Sequence, residues 1–130
     1  MKKALVTGAG GFIGHHLARH LAEKGFWVRG VDLKAPEFEP SFAHEFLALD
    51  LRDFENAMAA AQGIDEVYAL AADMGGMGYI ASHHAQILRN NSLIDLNTIE
   101  AARLNGVRRF FYASSACVYP DYRQKDSAVR

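Results

Sequence analysis

Residues 7–14 read Thr-Gly-Ala-Gly-Gly-Phe-Ile-Gly, and this stretch limits the folds open to the chain more than any other. It directly follows an apolar run at 3–7 and precedes a segment of helical period, so it predicts a tight strand-to-helix turn. Gly8 permits the turn, Gly11 leaves bare backbone for a pyrophosphate, and Gly14 lets the helix pack closely on the sheet. Free N–H groups at the helix start attract an anion. An ordinary tight turn is the alternative.

Apolar runs that look like buried strands alternate with helical segments, which is typical of a parallel sheet with helices on both faces. We therefore predict an α/β fold with a doubly wound parallel sheet of five strands in the order 3-2-1-4-5. The predicted strands are 3–7, 26–31, 45–49, 66–71 and 107–114, and the predicted helices are 12–24, 53–61 and 82–104. In the first helix, apolar residues recur on one side, which predicts a buried face made of Phe12, Ile13, Leu17 and Leu21.

The composition argues against several classes of protein. Fourteen Lys and Arg against fifteen Asp and Glu give a formal net charge of −1 at pH 7, so no overall field draws the chain to nucleic acid or to an anionic membrane. The single cysteine cannot form an internal disulfide, and no apolar run approaches the roughly 20 residues of a membrane span. We expect one soluble, cytoplasmic domain over 1–130, with a polar tail at 121–130 and a small-molecule partner.

Two acidic residues follow predicted strands at positions where a dinucleotide would need them. Asp32 ends the second strand eighteen positions after Gly14, where a carboxylate can bind the adenosine ribose and repel a 2′-phosphate. This favours NAD over NADP, although Arg29 and Lys34 lie nearby. Asp50 at the end of the third strand either faces the adenine amino group or starts the next helix.

The remaining reactive side chains are the lone thiol of Cys117 and the histidines. An unperturbed thiol has a pKa of about 8.5, close enough to neutrality for proton transfer, but a lone cysteine is also often a buried apolar residue. His16 and His20 share a helix face, yet no paired cysteine or carboxylate completes a ligand set. We therefore expect no metal.

Four stretches carry a family resemblance, at 7–14, 50–52, 70–72 and 114–119. Together they resemble the extended short-chain dehydrogenase/reductase family, whose members are Rossmann-type enzymes that epimerise or dehydrate nucleotide sugars. Within the family, 70–80 and 109–120 are similar to members that act on GDP-mannose. The resemblance implies NAD as the cofactor, a GDP-mannose-like nucleotide sugar as the substrate, and a homodimer of the full-length enzyme.

The resemblance also implies a mechanism and its residues. Such enzymes keep NAD bound and oxidise C4 of the sugar, acid/base groups then invert C3 and C5, and the hydride returns. Ser115 would bind the C4 oxygen, and Cys117 would carry a proton at C3 or C5. The implied substrate-binding residues are Gly75, Gly76, Ser115, Ala116 and Cys117. The implied cofactor-binding residues are Gly8, Gly11, Phe12, Ile13, Gly14, Asp32, Asp50, Leu51, Ala71 and Ala72.

One part of the family's pattern is missing from the sequence. These enzymes place a tyrosine and a lysine four residues apart on a helix after the fifth strand, and no such pair follows Cys117. We therefore expect the N-terminal portion of an enzyme, without its sixth strand and substrate domain, that binds NAD weakly and does not turn over. Two alternatives are another nucleotide-sugar epimerase or dehydratase of the family, and a non-catalytic NAD-binding module.

Overall fold

The computed structural model describes residues 1–72 and 84–113, which form a five-stranded parallel sheet flanked by helices. The strand order is β3-β2-β1-β4-β5, so the predicted fold class and topology are confirmed. The strands are Lys3–Thr7 (β1), Trp27–Asp32 (β2), Glu45–Ala48 (β3), Glu66–Ala69 (β4) and Arg109–Tyr112 (β5), and the helices are Phe12–Glu23 (α1), Phe54–Ala61 (α2) and His84–Leu104 (α3). The predicted polar tail at 121–130 lies outside the described residues.

Alternation along the strands divides the core into two layers. Leu5, Val31 and Val67 belong to the layer that also contains residues of α2 and α3. Val6 and Val28 belong to the opposite layer, with residues of α1. Because both faces of the central strands are covered, their sequences read as continuous apolar runs, and this is why they were recognisable.

Three predicted strands are shorter than expected, β3 by one residue, and the ends of the other two, β4 and β5, use other hydrogen-bond partners. After β4, the backbone N–H groups of Leu70 and Ala71 donate to a side-chain hydroxyl and not to a neighbouring strand. Before β5, Val107 donates to the carbonyl oxygen of Ala102, which closes the turn at the end of α3. The predicted strand residue Ser114 lies outside the described residues.

The predicted buried face of α1 is wrong at its first turn. Phe12 and Ile13 are 69% and 70% exposed, whereas the buried residues of the helix are Gly14, His15, Ala18 and Leu21. The close approach of Gly14 to the β1–α1 turn fixes the rotation of the helix, so positions four and seven further on face the sheet. Phe12 and Ile13 therefore point away from it.

The segment 33–44 between β2 and β3 crosses α1. His15 Nε2 lies 2.8 Å from Glu39 Oε1, and the ring of Phe42 lies 5.2 Å from the imidazole. The hydrogen bond to His15 holds the pKa of the Glu39 carboxyl below its usual range. These contacts attach the loop to the helix that begins at the glycine-rich turn. No helix within 1–72 or 84–113 is long and apolar enough to cross a bilayer.

Candidate cofactor-binding site

The glycine-rich turn joins β1 to α1 at the carboxyl edge of the sheet. Gly8 has a φ of +74°, and its N–H donates to the carbonyl oxygen of Val31 at 2.8 Å. A Cβ at Gly8 would lie 2.9 Å from the backbone of Leu70 and Ala71. A Cβ at Gly14 would lie 2.1 Å from the carbonyl oxygen of Gly8. Gly8 is therefore required for the turn to close, as predicted, and Gly14 lets the start of α1 lie against that turn.

Gly11 differs from these two because it has open space beside it. A Cβ there would meet only the carbonyl oxygen of Gly8, at 3.5 Å. Gly11 is the N-cap of α1, and the first helical hydrogen bond runs from His15 N to Gly11 O. The N–H groups of Phe12, Ile13 and Gly14 precede that bond and are free to bind an anion. The structure describes the whole first turn of α1, and this turn contains no acidic residue.

Gly10 is a site residue that the sequence analysis did not assign. Its N–H donates to Asp32 Oδ2 at 2.8 Å, and a Cβ there would lie 2.2 Å from the carbonyl oxygen of Lys34. Asp32 Oδ1 accepts from the N–H of Leu33 at 2.7 Å. The carboxylate of Asp32 is therefore fixed beside the turn by two backbone donors. The pairing of glycines at 10 and 11 was the available signal.

Thr7 is a second residue that the sequence analysis missed. Its Oγ1 accepts from the N–H groups of Leu70 at 3.0 Å and Ala71 at 3.1 Å, and the residue is 1% exposed. This hydroxyl fixes the start of the segment after β4 against the glycine-rich turn. A polar residue at the last position of a buried strand was the available signal.

The β3–α2 loop, residues 49–53, carries a carboxylate held by its own neighbour. Arg52 Nε lies 3.0 Å from Asp50 Oδ1, Nη2 lies 2.6 Å from Oδ2, and the Arg52 N–H donates to Oδ1 at 3.0 Å. These bonds lower the pKa of Asp50 and keep it an acceptor. The N-cap of α2 is Asp53, whose side chain accepts from Glu55 N, so Asp50 does not start the helix.

These elements surround a cavity of about 480 Å³ at the carboxyl edge of the sheet. Seven of the predicted cofactor-binding residues line it: Gly8, Gly11, Asp32, Asp50, Leu51, Ala71 and Ala72. Phe12, Ile13 and Gly14 do not line it, although their N–H groups lie at the adjoining end of α1. Helix α3 contributes Gln86, Asn90 and Ile94.

The two cations that left the choice between NAD and NADP open are both paired with carboxylates. Arg29 Nε lies 2.6 Å from Glu45 Oε1, and its Nη1 donates to two carbonyl oxygens near the end of α2. Lys34 Nζ lies 2.5 Å from Glu37 Oε1. Neither lines the cavity. Within the described ranges, no three His, Cys, Asp or Glu side chains are grouped closely enough to hold a metal ion.

The predicted catalytic and substrate-binding residues lie outside the described residues. These are Gly75, Gly76, Ser115, Ala116 and Cys117. Their assigned roles stay predictions.

A family model matches nearly the whole chain. The model for the NAD dependent epimerase/dehydratase family matches residues 4–129. Among curated proteins, GDP-mannose 3,5-epimerase 1 of Oryza sativa subsp. japonica is 52% identical over 126 residues, which are 95% of this chain and 33% of that protein. GDP-mannose 3,5-epimerase of Arabidopsis thaliana is 51% identical over 96% of this chain and 34% of that protein. The chain therefore spans about a third of the length of these relatives.

Solved structures with bound NAD have the same architecture. A short-chain dehydrogenase/reductase superfamily protein from Agrobacterium tumefaciens with bound NAD has a TM-score of 0.77 at 30% identity, covering 91% of this chain and 34% of that one. The UDP-glucose-4-epimerase from Stenotrophomonas maltophila, with bound NAD and formylated UDP-arabinopyranose, has a TM-score of 0.80 at 26% identity, covering 99% of this chain and 41% of that one.

Proposed function

Because the chain belongs to the NAD dependent epimerase/dehydratase family, we propose that it is the NAD-binding part of a nucleotide-sugar epimerase resembling GDP-mannose 3,5-epimerase. The observation that carries the proposal is the end of α1, where Gly11 leaves the backbone open and three N–H groups have no helical partner. That end adjoins a cavity bordered by Asp32 and Asp50. An anion, a ribose and a base therefore each have a suitable neighbour.

The pyrophosphate, the adenosine ribose and the adenine of NAD would each be held by a different element. The pyrophosphate would lie against Gly11 and the N–H groups at the start of α1. Asp32 would accept hydrogen bonds from the ribose hydroxyls and repel the 2′-phosphate of NADP, and Lys34 is occupied by Glu37. The adenine would lie on Leu51 with its amino group near Asp50.

The chemistry of the sugar would involve residues outside the described ranges. When bound, NAD supplies the hydride acceptor for C4 of the sugar. Ser115 is proposed to bind the C4 oxygen, Cys117 to move a proton at C3 or C5, and Gly75 and Gly76 to let the sugar approach the backbone. The substrate is proposed to be a nucleotide sugar resembling GDP-mannose, in agreement with the curated relatives.

The proposal separates binding from turnover. The 130 residues contain no tyrosine followed four positions later by lysine, so we propose that the chain binds NAD without epimerising GDP-mannose. The same observation favours a second candidate, a catalytically silent NAD-binding module. Coding sequence that continues past residue 130 into a Tyr-x-x-x-Lys helix would support the enzyme over the module. A cytoplasmic location and a homodimer of the full-length enzyme are further parts of the proposal.

Substitution of Gly11 tests the cofactor assignment. Gly11→Leu should abolish NAD binding, measured by titration calorimetry, because the side chain would fill the space of the pyrophosphate. Gln62→Leu is the matched control, since it adds a leucine at an exposed position after α2. Unchanged affinity in a folded Gly11→Leu variant would refute the assignment.

A further inference from the structure

The β3–α2 loop forms one wall of the cavity and is held by amide side chains from two helices. Asn97 on α3 donates from Nδ2 to the carbonyl oxygens of Leu51 and Arg52, each at 3.0 Å. Asn56 on α2 donates to the carbonyl oxygen of Asp50 at 3.0 Å. Three consecutive carbonyl groups therefore have fixed partners, and Leu51 is itself buried in the core. The backbone that carries Asp50 is anchored independently of any ligand.

The carboxylate of Asp50 is also fixed in rotation. Arg52 presents three N–H donors to it, from the backbone, Nε and Nη2, and Nε is shared between the two oxygens, at 3.0 Å from Oδ1 and 3.1 Å from Oδ2. The guanidinium in turn contacts α3, with Nη1 at 3.4 Å from Asn90 Oδ1. An ionised carboxylate offers about four acceptor positions, so about one position is left for a donor in the cavity.

A single acceptor position in a fixed carboxylate distinguishes bases by the exocyclic group that faces it. It accepts a hydrogen bond from an exocyclic amino group, as in adenine, and repels an exocyclic oxygen, as in hypoxanthine. A carboxylate that is free to rotate would turn away from the oxygen and lose the distinction. The selectivity therefore depends on the groups that hold Asp50 in place.

We propose that Arg52 and Asn97 are positioning residues that make the cavity select an amino-bearing base over an oxo-bearing one. Arg52 fixes the orientation of the Asp50 carboxylate, and Asn97 fixes the loop on which it stands. This inference rests on the proposed function, since it concerns the base of the dinucleotide that the cavity is proposed to bind.

The test compares two dinucleotides on the same chain. NAD and nicotinamide hypoxanthine dinucleotide differ at the base, where an oxygen replaces the amino group and the adjacent ring nitrogen carries a proton. Titrating each into the isotopically labelled 14.3 kDa chain, followed by amide NMR spectra, reports affinity and folding together. The unmodified chain should bind NAD about tenfold more tightly than the hypoxanthine analogue. In Arg52→Met and Asn97→Ala this ratio should fall to about twofold or less.

Each variant has a matched control elsewhere in the chain. Arg103→Met removes an exposed arginine that makes an equivalent pair, with Nε at 2.7 Å and Nη2 at 2.9 Å from Glu100. Asn105→Ala removes an amide that donates to the carbonyl oxygen of Ala101 at 2.8 Å, at the end of α3 and away from the cavity. Both controls should keep the ratio of the unmodified chain, although they remove the same types of bond.

The outcomes separate the inference from the cofactor proposal. An unchanged ratio in folded Arg52→Met and Asn97→Ala overturns the positioning role. Equal binding of the two dinucleotides by the unmodified chain overturns the selectivity and leaves NAD binding standing. Absence of binding by both dinucleotides overturns the cofactor proposal and the inference with it. If Asn97→Ala does not fold, Arg52→Met decides, because the Arg52 side chain is 45% exposed and losing a surface ion pair costs about 1 kcal/mol or less.

Discussion

The glycine-rich turn and the β3–α2 loop border the same cavity but are constructed in opposite ways. The turn works through the absence of side chains, since a Cβ at Gly14 would lie 2.1 Å from a carbonyl oxygen. The loop works through the presence of side chains, since Arg52 and Asn97 hold its carboxylate and its carbonyl groups. Substitutions at the close contacts of the turn should therefore affect folding, whereas substitutions that release the loop should affect selectivity.

The largest expected effect comes from adding a single methyl group to the turn. Gly14→Ala should lower the free energy of unfolding by about 3 kcal/mol or more, because the helix must move away from the backbone of Gly8 and Ala9. Gly11→Ala adds the same methyl group into open space and should lower it by about 1 kcal/mol or less. Urea denaturation of the two variants measures the difference. Equal losses would show that the close packing of α1 does not depend on Gly14.

A smaller effect is expected where the turn meets the segment after β4. Thr7→Val keeps the side-chain shape but leaves the N–H groups of Leu70 and Ala71 without their acceptor, so it should lower the free energy of unfolding by about 2 kcal/mol. Thr98→Val is the matched control. Thr98 is equally buried, but its hydroxyl donates to the carbonyl oxygen of Ile94 within α3, so removing it leaves no donor without a partner.

The measurement for this pair is also urea denaturation. Thr98→Val should lose about 1 kcal/mol or less, since one hydrogen bond is removed and no buried donor loses its partner. If Thr98→Val proved the more damaging substitution, the hydroxyl of Thr7 would not be what fixes the segment after β4.

The turn could be predicted from sequence to a greater extent than the loop because its chemistry is local. Gly8, Gly11 and Gly14 stand within seven positions and each constrains its own backbone. Gly10 was missed because its partner Asp32 is 22 positions away. For the same reason the sequence does not reveal that Asn97 holds the loop, since 46 positions separate it from Leu51.

The three central strands, β1, β2 and β4, were predictable for a similar reason. Burial on both faces leaves an unbroken apolar run that any reader of the sequence can find. The rotation of α1 was not predictable from sequence. The close contact of Gly14 with Gly8 sets it, and this contact leaves the apolar side chains of Phe12 and Ile13 exposed. Helical periodicity is read from apolar side chains, whereas the packing of α1 depends on Gly14, which has no side chain.

The smallest expected effect concerns protonation in the loop. Arg52 holds the pKa of Asp50 below its usual range, so the stabilisation from this pair is present above the unfolded-state pKa and is lost as the pH falls through the folded-state pKa. In Arg52→Met the pKa of Asp50 should rise towards its ordinary value. Carboxyl NMR shifts followed against pH measure it directly.

Arg103→Met again provides the control. It should raise the pKa of Glu100, which Arg103 holds low, and leave the pKa of Asp50 unchanged. A pKa of Asp50 that is the same with and without Arg52 would mean that the guanidinium does not hold the carboxylate in solution. The loop would then lack the feature that distinguishes it from the turn, because no side chain would hold the orientation of the Asp50 carboxylate.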